Sequence, residues 1–597
     1  MSAQSIKDDI FPCTGGLNLV TPIVNQRPGT VQACYNWEPT PTSDGYREIE
    51  GYERYDGRQL ASLAADPVAQ RALITVVPGS GPVRGVWVFD DKVYAFRDNA
   101  LATACVMHQA TATGWSEVDL GATIAFTAGT SAFLVGETLL GGTSNADATI
   151  TRIEVTSGDW STSNAAGTLW INDITGTFQA ETVTSIGGGS ATASGAQSAF
   201  SRAPGGTYRF VNANFYADAP AAAMYGVCGL DQAFAFDGTI YEPISTGATD
   251  DTPDFIASHK LRLFLGFSEG FVSFSEPGVP TGTFDALAGA GEFGIGNWLT
   301  NMAPIQGDVL GIYGERVIYL LYGSGPTDFE LKPHSFNTGA LTDTLQTLND
   351  QLFLDFEGIR SLQTTDAFGD FASNTLSISV NPWLAFYRSY LIGSLVCREK
   401  NQYRLYFSDP AEAGVTIALT MGLGGEYPNF LPQRFPAALV CFANGTIAGE
   451  EWLLAGGSDG YVYRVDSGNS FDGAALPSMI RLSWVHEGTP GVRKRFREVR
   501  YETKATANRD MTFAYELNYA DSHFAPTAAD TLEFKPDGGI WGVDRWGSMT
   551  WGGFPRSRFK LTGSGTNIAL ILSGSRSDTP PVEINAVRLR YEPRRRY

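Results

Sequence analysis

One unit recurs along this chain and constrains its fold more than any other feature: an apolar run, a short turn of Gly, Asp, Glu, Asn or Ser, and a second apolar run. Two apolar segments joined by a tight polar turn are the local signature of a β-hairpin. The unit appears as VWVFDDKVYAF (86–96), AFAFDGTIYEPI (233–244), LRLFLGFSEGFVSF (261–274), VLGIYGERVIYLL (309–321), LFLDFEGIRSL (352–362), YRLYFSDPAEAGVTIAL (403–419) and WLLAGGSDGYVYRV (452–465). Turn centres at Ser268, Gly314, Glu357, Asp409 and Asp459 are 46, 43, 52 and 50 residues apart. A four-stranded propeller blade takes roughly 40 to 50 residues. The chain is therefore expected to be all-β with a β-propeller core, in which radial closure leaves only short sheet edges open.

The beat divides the chain. Residues 1–96 read as an N-terminal segment leading into the first blade or blades, and 206–477 as the remaining blades. Between them, 97–205 shift to Gly, Thr, Ala and Ser with short alternating runs such as ATITRIEV and GTLWIND, which predicts an inserted small β-domain. Its Gly-rich stretch SIGGGSATASGAQS (185–198) lacks anchoring apolar residues and is expected to be a flexible return linker or a long loop. Residues 478–597 carry strands such as KRFREVRYETKA and INAVRLRYEP and are expected to form a C-terminal β-sandwich-like domain.

Charge is uneven. The net charge is −21, yet residues 481–597 hold 19 Lys and Arg against 13 Asp and Glu. The acidic remainder argues against a duplex gripped along most of the chain, since that needs basic surface. The six cysteines (Cys13, Cys34, Cys105, Cys228, Cys397, Cys441) contain no Cys-x-x-Cys pair and read as buried thiols. The opening MSAQSIKDDI has no export-signal pattern, and no apolar stretch approaches the roughly 20 residues that span a bilayer. The expectation is a protein made in the cytoplasm without a membrane-spanning segment.

Two motifs invite a catalytic reading. Gly266-Phe267-Ser268-Glu269-Gly270 matches a nucleophile elbow, but a strand follows where that motif needs a helix. Gly289-Ala290-Gly291-Glu292-Phe293-Gly294 matches a dinucleotide loop, again without a convincing helix behind it. The five histidines stand far apart. No catalytic residue, cofactor or metal site is expected, and the chain reads as a non-enzyme. The candidate contact residues are Arg493, Lys494, Arg495 and Arg497, a basic run on a strand, and Trp541, Trp546 and Trp551, spaced by five. Both sets suit a subunit or ring interface.

The opening Gly15-Gly16-Leu17-Asn18, Arg27-Pro28-Gly29, Asn36, Asp44-Gly45-Tyr46-Arg47 and Gly51-Tyr52-Glu53-Arg54 resembles that of a known family, as do His259 to Phe264, Ser275-Glu276-Pro277-Gly278, Gly323-Ser324, Gly339-Ala340, Glu357-Gly358-Ile359 and the segments around Lys494-Arg495 and Trp541 to Trp551. The family is the nozzle protein, or tail tubular protein B, of the short tails of podoviruses. The resemblance spans most of the chain except about 97–205. It implies a virion tail protein, a homohexamer docked below an adaptor ring near tail fibres or tailspikes, through whose central channel genomic DNA passes without specific binding. The alternative is a host-glycan binding or depolymerising propeller of a phage tail, for which the Trp triplet is the suggestive feature.

Overall fold

The computed structural model describes residues 6–42, 44–215, 222–281, 284–305, 308–363, 375–425, 428–505, 507–520, 529–534 and 556–594. Among them, seven small antiparallel sheets follow one another, six with four strands and one with three. Blade one holds Ser80–Phe89 to Gly114–Glu117, blade two Arg209–Ala213 to Tyr241–Ile244, and blade three Phe255–His259 to Gly291–Gly294. Blade four holds Leu299–Ile305 to Glu330–Ser335, blade five Gln346–Leu348 to Ile359–Ser361, and blade six Leu391–Cys397 to Asn429–Phe435. Blade seven takes three strands from Leu439–Ile447, Glu450–Gly457 and Val462–Val465, and its fourth from Tyr52–Tyr55 near the other end of the chain.

That last pairing closes the ring. Tyr52 sits opposite Val465 and Tyr55 opposite Val462, so the edge of blade seven is covered by a strand that precedes blade one. Blades seven and one then share a core of Val83, Val88, Ala443 and Leu454. Middle strands such as Arg262–Phe267 and Thr416–Gly422 are buried along their whole length, because each blade is covered on both faces by its neighbours. Their sequences accordingly read as apolar runs rather than alternations. Four of the five turn centres fall between the second and third strands of their blades, and Gly314 is the last residue of the second strand of blade four. The hairpins at 86–96 and 233–244 are the first and last pairs of blades one and two.

The insertion is a closed barrel. Ala122–Ser131 pairs with Ala165–Thr175 on one side and with Ser190–Ala193 on the other, closing six strands around Ile124, Phe126, Leu139, Ile150, Leu169 and Val183. The stretch expected as a linker at 185–198 is instead part of this barrel: Thr182–Ser185 and Ser190–Ala193 form a hairpin, and Ser198–Ala199 pairs with Ala122–Ser131. Ala191 and Ala193 are buried in its core, where small side chains fit beside Phe126 and Phe133. The strands Cys105–Thr111 and Gly114–Glu117, within 97–205, belong to blade one.

A two-sheet sandwich contains the C-terminal strands and takes in the N-terminal ones. One sheet runs Trp37–Pro39, Tyr46–Glu48, Glu583–Pro593, Lys494–Lys504, Arg556–Lys560, with Lys7–Pro12 also on Glu583–Pro593. The other runs Val31–Tyr35, Leu476–Leu482, Ile568–Arg576, Arg509–Leu517, Asp530–Phe534. Leu476–Leu482 alternates buried and more open positions, as a strand with one covered face should. Residues 7–48 thus join the sandwich rather than lead into a blade, and the chain enters the propeller at Tyr52.

Candidate functional site

The propeller axis is the first place to look for a ligand. Its cavity is lined from the innermost strands or the segments leading into them in every blade, including Trp87, Phe210, Ile256, Met302, Gln346, Leu395 and Phe442. Its volume is about 270 Å³, below the roughly 300–1,000 Å³ usual for small-molecule sites. Arg209, from the first strand of blade two, reaches Asp343 ahead of blade five with Nε to Oδ1 at 2.6 Å and Nη2 to Oδ2 at 2.8 Å, and donates to the Asp254 carbonyl at 3.0 Å. Blades two and five lie on opposite sides of a seven-blade ring, so this fork bridges the axis. Burial works against the Arg209 charge, and the Asp343 carboxylate outweighs it, raising the pKa. Gln346 and Ser394 close a further link, with Ser394 Oγ donating to the Asp343 carbonyl at 2.7 Å. The axis is a core braced by polar contacts across it.

The second concentration of chemistry is the joint between sandwich and propeller. Lys400 Nζ lies 2.9 Å from Glu38, 3.1 Å from Glu50 and 2.8 Å from Asp466. Arg404 forks onto Asp466 at 2.8 and 2.7 Å and reaches Glu38 at 3.2 Å, while Arg47 meets Glu50 at 2.7 Å. Three carboxylates balance three cations. Burial disfavours each charge here, yet the opposite charges win, so the pKa of Lys400 is raised and that of Asp466 lowered. Beside it, buried Glu48 accepts from Ser478 Oγ at 2.6 Å and from Arg509 at 3.2 Å.

The residues of the opening motif build this joint. Tyr46 OH donates to the Gly29 carbonyl at 2.8 Å and accepts from the Gly16 amide at 3.0 Å. Asn36 donates to the Pro477 carbonyl at 2.7 Å and accepts from the Arg434 amide at 2.7 Å, tying the sandwich to blade six. Two glycines are required by close backbone approach: a Cβ on Gly29 would stand 1.9 Å from the Pro12 carbonyl oxygen, and one on Gly51 1.8 Å from that of Ser470.

The basic run predicted as an interface does not lie on one face. Arg493 and Arg495 point outward, but Lys494 is buried and its ammonium donates to the carbonyls of Thr489, Val492 and Thr566 at 2.7, 3.0 and 3.1 Å. Alternation along a strand sends neighbours to opposite faces, so Lys494 has no part in a solvent-side contact. Arg497 is the bulged residue between Phe496 and Glu498 and pairs with Glu592 at 2.7 Å. Trp541, Trp546 and Trp551 lie outside the described residues.

A larger basic surface comes from residues remote in sequence. Arg500 sits opposite Arg558 on one neighbouring strand and Arg588 on the other, with Arg590 one pleat away. All lie on the solvent side of the sandwich, since Val499, Tyr501, Val587 and Leu589 face the core. Period-two arginines in VRLRYE were the available signal.

Neither catalytic-looking motif is followed by the helix its chemistry requires. Ser268 lies in the turn between strands two and three of blade three, its amide donating to Asp254 at 3.1 Å. Residues 289–294 lead from a single 3₁₀ turn into the strand Gly291–Gly294. Among the described residues, no group of three or more His, Cys, Asp or Glu is placed to hold a metal ion, and no helix is long and apolar enough to cross a membrane. All six cysteines are unpaired, and burial pushes the thiols of Cys13, Cys397 and Cys441 up to about 12.

No protein-family model matches the chain, and no curated protein sequence matches it. Among solved structures, similarity extends to virginiamycin B lyase from Staphylococcus aureus (8% identity, 55% of this chain and 94% of that one, TM-score 0.26). It also extends to YCF48 bound to D1 peptide (9%, 66% and 95%, 0.28) and to an ancestral GH74 enzyme (11%, 74% and 79%, 0.28). Likeness at this level carries nothing about activity, and the all-β propeller rests on the sheet order itself.

Proposed function

We propose that this chain is a structural subunit of the nozzle ring of a short phage tail, a conduit part rather than an enzyme. The observation that carries the reading is where the family-like residues fall. Gly16 and Asn36 bear directly on blade six, Gly51 packs on Ser470 just past blade seven, and Gly29 and Tyr46 brace the N-terminal segment of the sandwich behind them. A fixed geometry between two bodies is what a ring subunit needs, because an error in their angle accumulates around the ring. The braced axis supports the same assignment of roles: the propeller is a solid building block, and a DNA path belongs between copies.

In this reading six copies form the ring, which meets the tail adaptor above and fibres or tailspikes beside it, in a virion tail assembled from protein made in the host cytoplasm. Each copy brings a formal charge of −21, so an acidic lumen would repel phosphates and let the genome slide. The test is to label virions with antibody raised against the inserted barrel, the part furthest from the family pattern. Label confined to the tail supports the proposal; intact virions that contain none of the chain would remove it.

A further inference from the structure

The sandwich presents four guanidiniums over two carboxylates. Glu498 takes Arg500, Arg558 at 2.7 Å and Arg590 at 3.8 Å, while Asp8 takes Arg588 and Arg590 at 3.8 Å. Two positive charges remain uncompensated on this face, on side chains 51% (Arg558), 23% (Arg500), 35% (Arg588) and 37% (Arg590) exposed. Ile10, opposite Arg588 on the neighbouring strand, is 56% exposed beside them.

The complement of this face lies at the far side of the same chain. Asp231, Asp250, Asp251, Asp254 and Glu269 gather where blades two and three turn between their second and third strands and where the chain passes from one blade to the next. The patch is continuous: Gln232 Nε2 donates to Asp251 at 3.4 Å, the Gly229 amide to the Pro253 carbonyl at 3.0 Å, and the Ser268 amide to Asp254 at 3.1 Å. Asp231, Asp251 and Asp254 accept only from amides and hydroxyls, and none of the five is in an ion pair among the described residues. Leu230, 52% exposed, stands among them.

We propose that the arginine face of one copy docks on the acidic patch of blades two and three of a second copy. Charge complementarity selects this occupant, since a chain of net −21 repels its own kind everywhere except through its local basic surface. Geometry makes the contact intermolecular. The sandwich is fixed to blades six and seven through Arg404, Lys400 and Asp466, on the opposite side of the ring of blades from two and three. Two different patches at opposite ends of one subunit give a head-to-tail contact, the kind that builds a ring when its rotation closes. The proposal rests on the ring reading above and names the surfaces that build it.

The test uses the full chain and two charge-reversed variants. The first carries Arg558→Glu with Arg588→Glu; the second carries Asp250→Lys with Glu269→Lys. Circular dichroism verifies folding, and sedimentation velocity at low and high salt reads assembly. Each variant alone is expected to weaken self-association by roughly tenfold or more. An equimolar mixture of the two is expected to restore it, because reversed face then meets reversed patch. Wild-type rings with both variants assembling normally would overturn these surfaces and leave the ring reading standing. Wild-type chain that stays monomeric at every concentration would overturn both.

Discussion

The inserted barrel and the sandwich both lie outside the propeller beat, yet they are attached in opposite ways. The barrel has its own closed core and meets blade two through Arg152 with Glu242 and through Asn172 Nδ2 on the Thr239 carbonyl at 3.1 Å. It leaves and re-enters at one point, where the Phe200 amide donates to the Gly121 carbonyl at 3.0 Å. The sandwich is assembled from both ends of the chain and is welded to blades six and seven by six charges, of which Glu38 and Arg404 are fully buried. An insertion made at a turn can be added or lost whole. A domain that ties off both termini is part of the fold itself.

The largest expected effect comes from breaking the weld. Lys400→Met strips one cation from Glu38, Glu50 and Asp466 and leaves a buried negative charge, which costs roughly 3–5 kcal/mol. Urea melts read this as a lower midpoint with an unchanged slope. Next is Gly51→Ala, whose new methyl has the Ser470 carbonyl 1.8 Å away, for about 2–4 kcal/mol in the same assay.

A smaller effect is set by pH. Burial, and after it the carboxylate of Asp9 on the first strand, pushes the Glu487 carboxyl up to about 9, against the opposing pull of Lys494 and Lys7. Its pKa is higher folded than unfolded, so the native state holds the extra proton, and stability falls as pH rises from about 4.5 towards 9. Glu487→Gln should flatten that slope in melts between about pH 6 and pH 9. An unchanged slope would show that the Glu487–Asp9 contact is not what titrates. The smallest effect is reserved for the barrel. Replacing residues 122–199 with a short Gly-Ser linker should move stability of the remainder by less than roughly 1 kcal/mol. A collapse of the propeller on that deletion would erase the contrast between the two attachments.

The sequence carried the blades well because their signal is local. At Ser268, Glu357 and Asp459 a polar turn must separate two strands that are buried on both faces, and that pattern repeats within single hairpins. It carried the sandwich poorly at its N-terminal half, since Lys7 pairs with Tyr591 across nearly the whole chain and no local pattern records such a partner. The hairpin at 182–193 was masked by composition: Ala, Ser and Gly give a strand whose two faces differ in size more than in hydropathy. The basic surface was half visible. The run from Arg493 to Arg497 stood out as a cluster, but the pleat buries Lys494, and the row across Arg558, Arg500 and Arg588 exists only once three strands are in register.

The most direct measurement is cryo-electron microscopy of the purified or virion-bound protein, classified without imposed symmetry. A sixfold ring with an axial channel between subunits, each propeller solid about its Arg209–Asp343 brace, is the predicted result. A solitary propeller with a ligand in an opened axis would contradict the account and point to glycan binding instead.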